Sequence, residues 1–232
     1  MTQPNYGQVV ITGANRGIGL ELVRQFAPRA DRIVACCRNP EAADDLQALA
    51  TREGNIVLQQ LDVTNETQIE ALRDRLDNEP VDLLINNAGV YGPRGAATDK
   101  DAWHAVLEVN AMAPLAVSRA LLDSVAAGHH KIVASVTSKM GSIADNRSGG
   151  SYIYRTSKTA LNQTMRSFSH DVADRGITVL LLHPGWVKTA MGGPNALIDV
   201  QTSVSGMKAI IDRAEPAMSG RFYDYDGSEI PW

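Results

Sequence analysis

Short apolar runs alternate along the chain with stretches in which apolar residues recur every three or four positions. The runs predict strands, and the periodic stretches predict helices that bury one face. The predicted strands are Gln8–Ile11, Arg32–Cys37, Ile56–Val63, Val81–Asn86, Lys131–Val136, Ile177–Leu182 and a short Arg221–Tyr225. Because helices separate strands that are apolar on both faces, the pattern indicates a parallel sheet covered on both sides. We therefore expect a single domain over residues 1–232 with a doubly wound, three-layer α/β/α fold.

The spacing of apolar residues predicts the helices between these strands. Thr64 or Asn65 is placed to cap the helix after the third strand, because a side-chain oxygen there accepts the free N–H groups of the first turn. Ala111–Val125 is predicted as one helix before the fifth strand. The residues expected to share a helix face are Ile18, Leu22 and Phe26, then Ile69, Leu72 and Leu76, then Leu115, Ser118 and Leu122, and finally Leu161, Met165, Phe168 and Val172.

One long stretch follows neither pattern. Residues Trp186–Ser205 contain Gly192, Gly193 and Pro194, and residues of this kind interrupt regular structure. We predict a mobile loop here, whose expected purpose is to cover a binding site.

The composition is that of an ordinary globular protein, with 44% hydrophobic and 21% charged residues. Those values exclude a disordered chain and a collagen-like repeat. With 22 Lys and Arg against 26 Asp and Glu, the net charge is −4, which argues against a dedicated binder of nucleic acid or of an anionic membrane. The first ten residues lack the basic and apolar segments of a secretory signal, and no apolar run is long enough to cross a bilayer.

The two cysteines, Cys36 and Cys37, are neighbours in the chain, which is too close for a normal disulfide. Free thiols are typical of a reducing compartment, so we predict a cytoplasmic protein. The five histidines show no zinc-binding spacing, and no metal site is expected.

A glycine-rich turn joins the first strand to the first helix. Residues 12–19 are Thr-Gly-Ala-Asn-Arg-Gly-Ile-Gly. Glycines let a ligand phosphate approach the backbone, and the helix N-terminus offers free N–H groups and the positive end of its dipole. Because strand, turn and helix follow in the order of a dinucleotide-binding unit, the turn predicts a pyrophosphate site.

Residues that could bind a ligand or take part in catalysis follow the ends of the later strands. Asn86–Gly89 closes the fourth strand, Ser138 follows the fifth, and Pro184-Gly185 follows the sixth. Ligands of open α/β sheets bind at these carboxyl ends. Tyr154 and Lys158 are separated by one helical turn, which places their side chains next to each other.

Taken together and in this order, these motifs resemble the short-chain dehydrogenase/reductase family, whose members have a Rossmann-type fold. The resemblance covers essentially the whole chain. Leu182–Thr189 and Met191–Gly193 are similar to the branch that contains sniffer-type carbonyl reductases and C-factor-like proteins.

The spacing between Ser138 and Tyr154 is longer than is usual in the family. We interpret Asp145–Gly150 as a short loop insertion that accounts for the difference. Ser138 remains the best match to the catalytic serine, and Ser135 and Ser142 are the alternatives.

The resemblance implies hydride transfer between a nicotinamide cofactor and a carbonyl or alcohol carbon. Tyr154 is then the proton donor in reduction, and Lys158 lowers its pKa from the ordinary value of about 10. Ser138 donates to the substrate oxygen. Asn110 holds a water in the proton relay behind Lys158.

The family resemblance also assigns the cofactor contacts. They fall on Gly13, Asn15, Arg16, Gly17, Ile18, Gly19, Arg38, Asp62, Val63, Asn87, Ala88, Gly89, Tyr154, Lys158, Pro184, Gly185, Val187 and Thr189. No carboxylate follows the second strand, where NAD-binding enzymes hold the adenosine ribose. Arg38 stands there instead, and Arg16 in the glycine turn could reach the same group. Because a guanidinium binds a phosphate with paired hydrogen bonds, NADP(H) is expected in preference to NAD(H).

The expected partner is a small carbonyl or alcohol substrate, with a pocket lined by Tyr91–Gly95, Ile143–Tyr152 and Trp186–Leu197. The resemblance further implies a homo-oligomer, a dimer or a tetramer. An alternative hypothesis is a C-factor-like signalling protein that binds a dinucleotide with little turnover. A sugar epimerase or dehydratase is disfavoured, because such enzymes usually carry a larger substrate domain.

Overall fold

A computed structural model describes residues 5–93, 95 and 97–232. In this part of the chain seven parallel strands form one sheet, in the order β3-β2-β1-β4-β5-β6-β7. The strands are β1 (Tyr6–Thr12), β2 (Ala30–Cys37), β3 (Ile56–Gln60), β4 (Leu83–Asn86), β5 (Ile132–Val136), β6 (Thr178–His183) and β7 (Arg221–Asp224). The predicted doubly wound α/β/α fold is confirmed, and the strand order reverses between β1 and β4, where ligands bind in such sheets.

Helices cover both faces of this sheet. They are α1 (Gly17–Phe26), α2 (Asp44–Glu53), α3 (Glu66–Leu76), α4 (Lys100–Leu107), α5 (Ala113–Ala120), α6 (Leu122–Ala127), α7 (Tyr152–Asp171) and α8 (Val200–Ile211). Among the described residues, no helix is both long and apolar enough to span a bilayer. Within the same residues, no group of three or more His, Cys, Asp and Glu side chains forms a metal-binding cluster.

Each strand contributes alternate side chains to two separate cores. In β1, Ile11 faces the core under α1 and α8, whereas Val10 faces the core under α3, α5 and α7. The apolar stripe of α7 belongs to the second core, and its members Leu161, Met165, Phe168 and Val172 are all buried within the protomer. That stripe therefore packs on the sheet and is not available to a second copy of the chain.

The region predicted as one helix over Ala111–Val125 is divided. A π-helical turn at Glu108–Met112 precedes α5, and Leu121 leaves helical geometry between α5 and α6. Pro114 in the first turn of α5 has no backbone N–H, which suits a helix start and not a helix interior. The fully buried apolar residues are Val117, Leu121 and Val125, while Leu115 and Leu122 are only partly buried.

Other boundaries also differ from the prediction. Strand β3 ends at Gln60 and not at Val63. Asn65, one of the two candidate caps, accepts a hydrogen bond from the backbone N–H of Gln68 at 3.1 Å. The stretch Trp186–Ser205 is irregular only up to Asp199, which caps α8 by accepting from the Thr202 N–H at 2.7 Å.

After β7 the chain folds back along the edge of the sheet. Tyr223 pairs with Glu229 in an antiparallel bridge, and the Ile230 N–H donates to the Phe222 carbonyl at 2.8 Å. Trp232 stacks on Phe222, with 5.8 Å between the ring centroids. The returning segment therefore covers the outer edge of β7.

His183, at the end of β6, makes the stability of the fold dependent on pH. Burial and the nearby charge of Lys139 lower the pKa of His183 from 6.5 to about 4. Its Nδ1 atom has no hydrogen-bond partner in the described part of the chain. The unfolded chain therefore binds this proton more readily, and stability is lost as the pH falls from 6.5 towards 4.

We expect His183→Gln to remove this part of the pH dependence. Urea unfolding at pH 7 and pH 4.5 should show the wild type losing about 2 kcal/mol more than the variant over this interval. His170→Gln, which changes an exposed histidine of α7, is the matched control and should behave like the wild type. An equal loss in the wild type and His183→Gln would contradict the assignment.

Candidate active site

The glycine turn is locked against the carboxyl end of β4. The Asn87 side chain donates to the carbonyls of Thr12 at 2.9 Å and Gly13 at 3.1 Å. The Thr12 hydroxyl accepts from the backbone N–H groups of Asn87 and Ala88, both at 3.1 Å. Both amide hydrogens of Asn87 are therefore used to hold the turn.

Close backbone contacts explain two of the glycines in the turn. Gly13 has φ +65°, and a Cβ there would lie 2.9 Å from Ala88 Cα. A Cβ on Gly19 would lie 2.0 Å from the Gly13 carbonyl oxygen, which no side chain tolerates. The Ala14 N–H donates to the Cys36 carbonyl at 3.0 Å, so the turn also packs on the end of β2.

The start of α1 fits the pyrophosphate of a dinucleotide. Arg16 occupies the N-cap position but its side chain does not cap the helix, and the first turn contains no acidic residue. The N–H groups and positive dipole end are thus not neutralised by a side chain of the helix itself. Gly17, Ile18 and Gly19 provide this end of the site, and Asn15 precedes them.

Two exposed guanidinium groups belong to the same region. Arg38 directly follows β2, and Arg16 lies in the glycine turn. Within the residues that the structure describes, neither side chain has a hydrogen bond or an ion pair. Both are therefore available to an anionic ligand. Cys36 and Cys37, next to Arg38, are buried in the sheet.

The residues after β3 are held by their own turn. The Asp62 carboxylate accepts from the Thr64 N–H at 3.0 Å and from the Thr64 hydroxyl at 2.8 Å. Val63 lines a small crevice together with Thr12 and Ala88. Val63 therefore lies close to Thr12, where the glycine turn begins, and the predicted contact of Asp62 and Val63 with the cofactor stays a prediction.

The predicted proton-transfer residues meet at the ends of β4 and β5. Lys158 is buried, and its Nζ donates to the Val136 carbonyl at 3.0 Å. Nζ lies 6.0 Å from the centre of the Tyr154 ring. A Cβ added to Gly89 would lie 3.5 Å from Nζ and 3.3 Å from Asn110 Oδ1, so Gly89 forms the floor beside these groups.

Burial shifts the pKa values of Tyr154 and Lys158 in opposite directions. It raises the pKa of Tyr154 to about 12, although the Ser138 hydroxyl acts to lower it. It lowers the pKa of Lys158 to about 8. Burial is the largest cause for Tyr154, so its pKa lies above the ordinary value, and the Lys158 amine is directed to the Val136 carbonyl. The lowering of the Tyr154 pKa by Lys158 that the sequence suggests stays a prediction.

The three candidate serines have different surroundings. The Ser138 hydroxyl acts to lower the pKa of Tyr154, and its Oγ accepts from the Met140 N–H at 3.2 Å. Ser142 donates to the Pro231 carbonyl at 2.5 Å. Ser135 is fully buried and its hydroxyl has no partner in the described part of the chain. Ser138 alone of these three is brought to Tyr154.

Asn110 lies in the π-helical turn, and its side chain connects three elements. It donates to the Val90 carbonyl at 2.7 Å and to Ser157 Oγ at 2.9 Å, and it accepts from the Val90 N–H at 2.8 Å. Both amide hydrogens are thus used within the protein. The side chain braces the loop after β4 against α7, which leaves Oδ1 with one lone pair for the predicted water. Single π-helical turns are frequent at functional sites.

The family follows from a match that covers most of the chain. A family model described as short chain dehydrogenase matches residues 8–196. The chain belongs to the short-chain dehydrogenase family. It is therefore an oxidoreductase of this family.

Individual relatives narrow the position within the family. The C-signal protein of Myxococcus xanthus is 50% identical over 155 residues, which is 66% of this chain and 93% of that protein. The 1-hydroxy-2-glutathionyl-2-methyl-3-butene dehydrogenase of Rhodococcus sp. (strain AD45) is 35% identical over 231 residues, 97% of this chain and 99% of that protein.

Solved structures of carbonyl reductases are similar to this chain in fold and in sequence. The NADPH-bound carbonyl reductase from chicken fatty liver has a TM-score of 0.92 at 34% identity, covering 98% of this chain and 100% of that chain. The carbonyl reductase Sniffer of D. melanogaster has a TM-score of 0.91 at 32% identity, with the same coverage. The predicted branch of sniffer-type carbonyl reductases and C-factor-like proteins is confirmed.

The loop after β6 covers the glycine turn of this dehydrogenase. A Cβ on Gly17 would lie 3.5 Å from Thr189 Cγ2, so the Thr189 side chain reaches the start of α1. Val187 pairs with Ile198, and the Pro184 carbonyl accepts from Ser203 of α8 at 2.5 Å. Thr189 is therefore positioned beside the start of α1, whereas the predicted cofactor contacts of Pro184, Gly185 and Val187 stay predictions.

Two features of the site were not apparent from the sequence. Ser157 links Asn110 to the Tyr154 carbonyl, to which it donates at 2.8 Å. Tyr91, expected only to line the pocket, stacks on Tyr154 with 4.5 Å between ring centroids. The position of Tyr91 just after the fourth strand was a signal for the second feature, whereas nothing local marks Ser157.

We expect Asn110→Ala to destabilise the fold by about 3 kcal/mol, because it leaves the buried Ser157 hydroxyl and the partly buried backbone groups of Val90 without partners. Urea unfolding measures the change. Asn195→Ala alters an exposed asparagine and should change stability by no more than about 0.5 kcal/mol. A similarly small effect for Asn110→Ala would show that these hydrogen bonds do not hold the site together.

Proposed function

We propose that the protein is an NADP(H)-dependent carbonyl reductase that converts an aldehyde, ketone or quinone to an alcohol by hydride transfer. The observation that carries the proposal is the grouping of two side chains around Tyr154: Ser138, whose hydroxyl acts to lower the pKa of Tyr154, and Lys158, whose amine lies 6.0 Å from the centre of the Tyr154 ring. This group of residues lies at the same edge of the sheet as the glycine turn. A proton donor and a dinucleotide-binding turn are thus available to one substrate.

Tyr154 is suited to donate a proton at neutral pH. With a pKa of about 12, its hydroxyl stays protonated, and it gives that proton to the substrate oxygen as negative charge develops there. The Ser138 hydroxyl is a second donor that orients the same oxygen. When bound, the nicotinamide cofactor supplies the hydride.

Lys158 stabilises the phenolate that proton donation leaves behind. Its pKa of about 8 keeps most of the amine protonated at pH 7. A positive charge near the ring favours the ionised tyrosine. The proton then returns to Tyr154 from the side of Lys158 and Asn110.

The preference for NADP(H) rests on Arg16 and Arg38. Both guanidinium groups are exposed and have no partner in the described residues, and a guanidinium binds a phosphate with two parallel hydrogen bonds. The similar carbonyl reductase from chicken fatty liver is NADPH-bound, which supports the same choice here.

A signalling function is the second candidate, and the 50% identity to C-signal favours it. Such a protein would bind the dinucleotide with little turnover. The assembled group of Ser138, Tyr154 and Lys158 supports catalysis instead, because binding alone does not need a buried proton donor.

Tyr154→Phe should lower kcat for NADPH-dependent reduction of a panel of aldehydes, ketones and quinones by about 100-fold or more. Absorbance of reduced nicotinamide gives the rate, and fluorescence titration should show unchanged NADPH binding. Tyr223→Phe, on the edge strand β7, is the control and should keep its activity. NADPH binding by the wild type without turnover of any compound in the panel would favour the signalling function.

Arg38→Asp should lower the ratio of kcat/KM for NADPH to that for NADH by at least about 10-fold, because it replaces a phosphate-binding cation by a carboxylate. Steady-state kinetics with both cofactors measures the ratio. Arg52→Asp makes the same charge change on α2, where Arg52 pairs only with its neighbour Glu53, and should leave the ratio unchanged. An unchanged ratio in Arg38→Asp would remove Arg38 from the proposal.

A further inference from the structure

Tyr91 is fixed by two contacts, a ring stack on Tyr154 and a hydrogen bond of its hydroxyl. The two rings are stacked, with 4.5 Å between centroids and 26° between planes. The Tyr91 hydroxyl shares a hydrogen bond with Ser151 Oγ at 2.7 Å. Ser151 is the residue before α7 and has φ 48°, so this contact joins the loop after β4 to the start of the helix that carries Tyr154.

The backbone next to Tyr91 is fixed as well. Asn110 binds both the N–H and the carbonyl of Val90. The same Asn110 side chain reaches Ser157, which donates to the Tyr154 carbonyl. The stack of Tyr91 on Tyr154 therefore closes a ring of contacts, and a shift of Tyr91 would break its stack on Tyr154 and its hydrogen bond with Ser151.

We propose that Tyr91 is a positioning residue for Tyr154, which covers one face of the phenol ring, excludes water from that face and holds the hydroxyl towards Ser138. The inference rests on the proposed function only in taking Tyr154 as the proton donor. The packing itself is independent of any reaction. Aromatic stacking of this kind stabilises a defined ring orientation beyond simple burial.

The stack has an electrostatic consequence. Burial and Tyr91 both raise the pKa of Tyr154, while Ser138 lowers it. Among the described residues, Lys158 on the next turn of α7 brings a charged group near Tyr154, with Nζ 6.0 Å from the ring centre. Arg155 directs its guanidinium to Met140, Ser148 and Gly149 instead. Loss of the Tyr91 ring therefore lowers the pKa of Tyr154 by admitting water and removing a neighbouring phenol.

The test follows Tyr154 directly and does not depend on turnover. The full-length protein is labelled with 3-fluorotyrosine, whose lower phenol pKa brings the titration into a pH range where the protein stays folded. Fluorine NMR then gives a midpoint for each tyrosine, and the signal that disappears in Tyr154→Phe identifies Tyr154.

Tyr91→Leu removes the ring, and Tyr91→Phe keeps the ring but removes the hydroxyl. We expect the Tyr154 midpoint to fall by about one pH unit in Tyr91→Leu and to stay close to the wild type in Tyr91→Phe. Tyr91→Met is a second non-aromatic variant, so a folding defect in one variant does not decide the result. Tyr152→Leu, which removes an exposed tyrosine of the same helix, should leave the midpoint unchanged.

Activity provides the second measurement. In Tyr91→Leu and Tyr91→Met, kcat for NADPH-dependent reduction should fall about 10-fold while KM for NADPH is unchanged. The alkaline limb of the kcat profile should move to lower pH together with the NMR midpoint. A purely structural role would lower activity without moving the limb.

The results separate the two proposals. An unchanged Tyr154 midpoint in both non-aromatic variants would overturn the positioning role, whatever the activity. A lowered Tyr154 midpoint in the Tyr91 variants, together with no turnover by the wild-type protein, would support the positioning role and count against the proposed reductase function.

Discussion

The segment Asn87–Tyr91 ties the two halves of the site together. At one end, Asn87 and Ala88 bind the glycine turn through four hydrogen bonds. At the other end, Val90 is held by Asn110 and Tyr91 stacks on Tyr154. Since β4 lies next to β1 in the sheet, these five consecutive residues connect the glycine turn to Tyr154. Every other feature of the site depends on this short span.

Burial, and not the attraction between Tyr154 and Lys158, dominates the chemistry of the site in this structure. Both groups are shifted towards their neutral forms, as expected when charged forms lose water. A site tuned in this way keeps its tyrosine protonated under ordinary conditions.

The sequence was sufficient for features that depend on local pattern or on position at strand ends. The strands, the glycine turn and the pair Tyr154 and Lys158 are of this kind. The π-helical turn around Asn110 was not predictable, because a single residue inserted into a helix leaves little trace in apolar spacing. The contact of Asn110 with Val90 and the stack of Tyr91 on Tyr154 join residues far apart in the chain, so only tertiary packing determines them.

The return of the chain along β7 limits how copies of this protein can assemble. An uncovered edge strand offers unpaired backbone groups to a strand of another molecule. The bridge between Tyr223 and Glu229 and the hydrogen bond from Ile230 to Phe222 occupy those groups on β7. Extension of the sheet across this edge, into a continuous sheet shared by two subunits or into a fibril, is therefore blocked unless the last residues are first displaced.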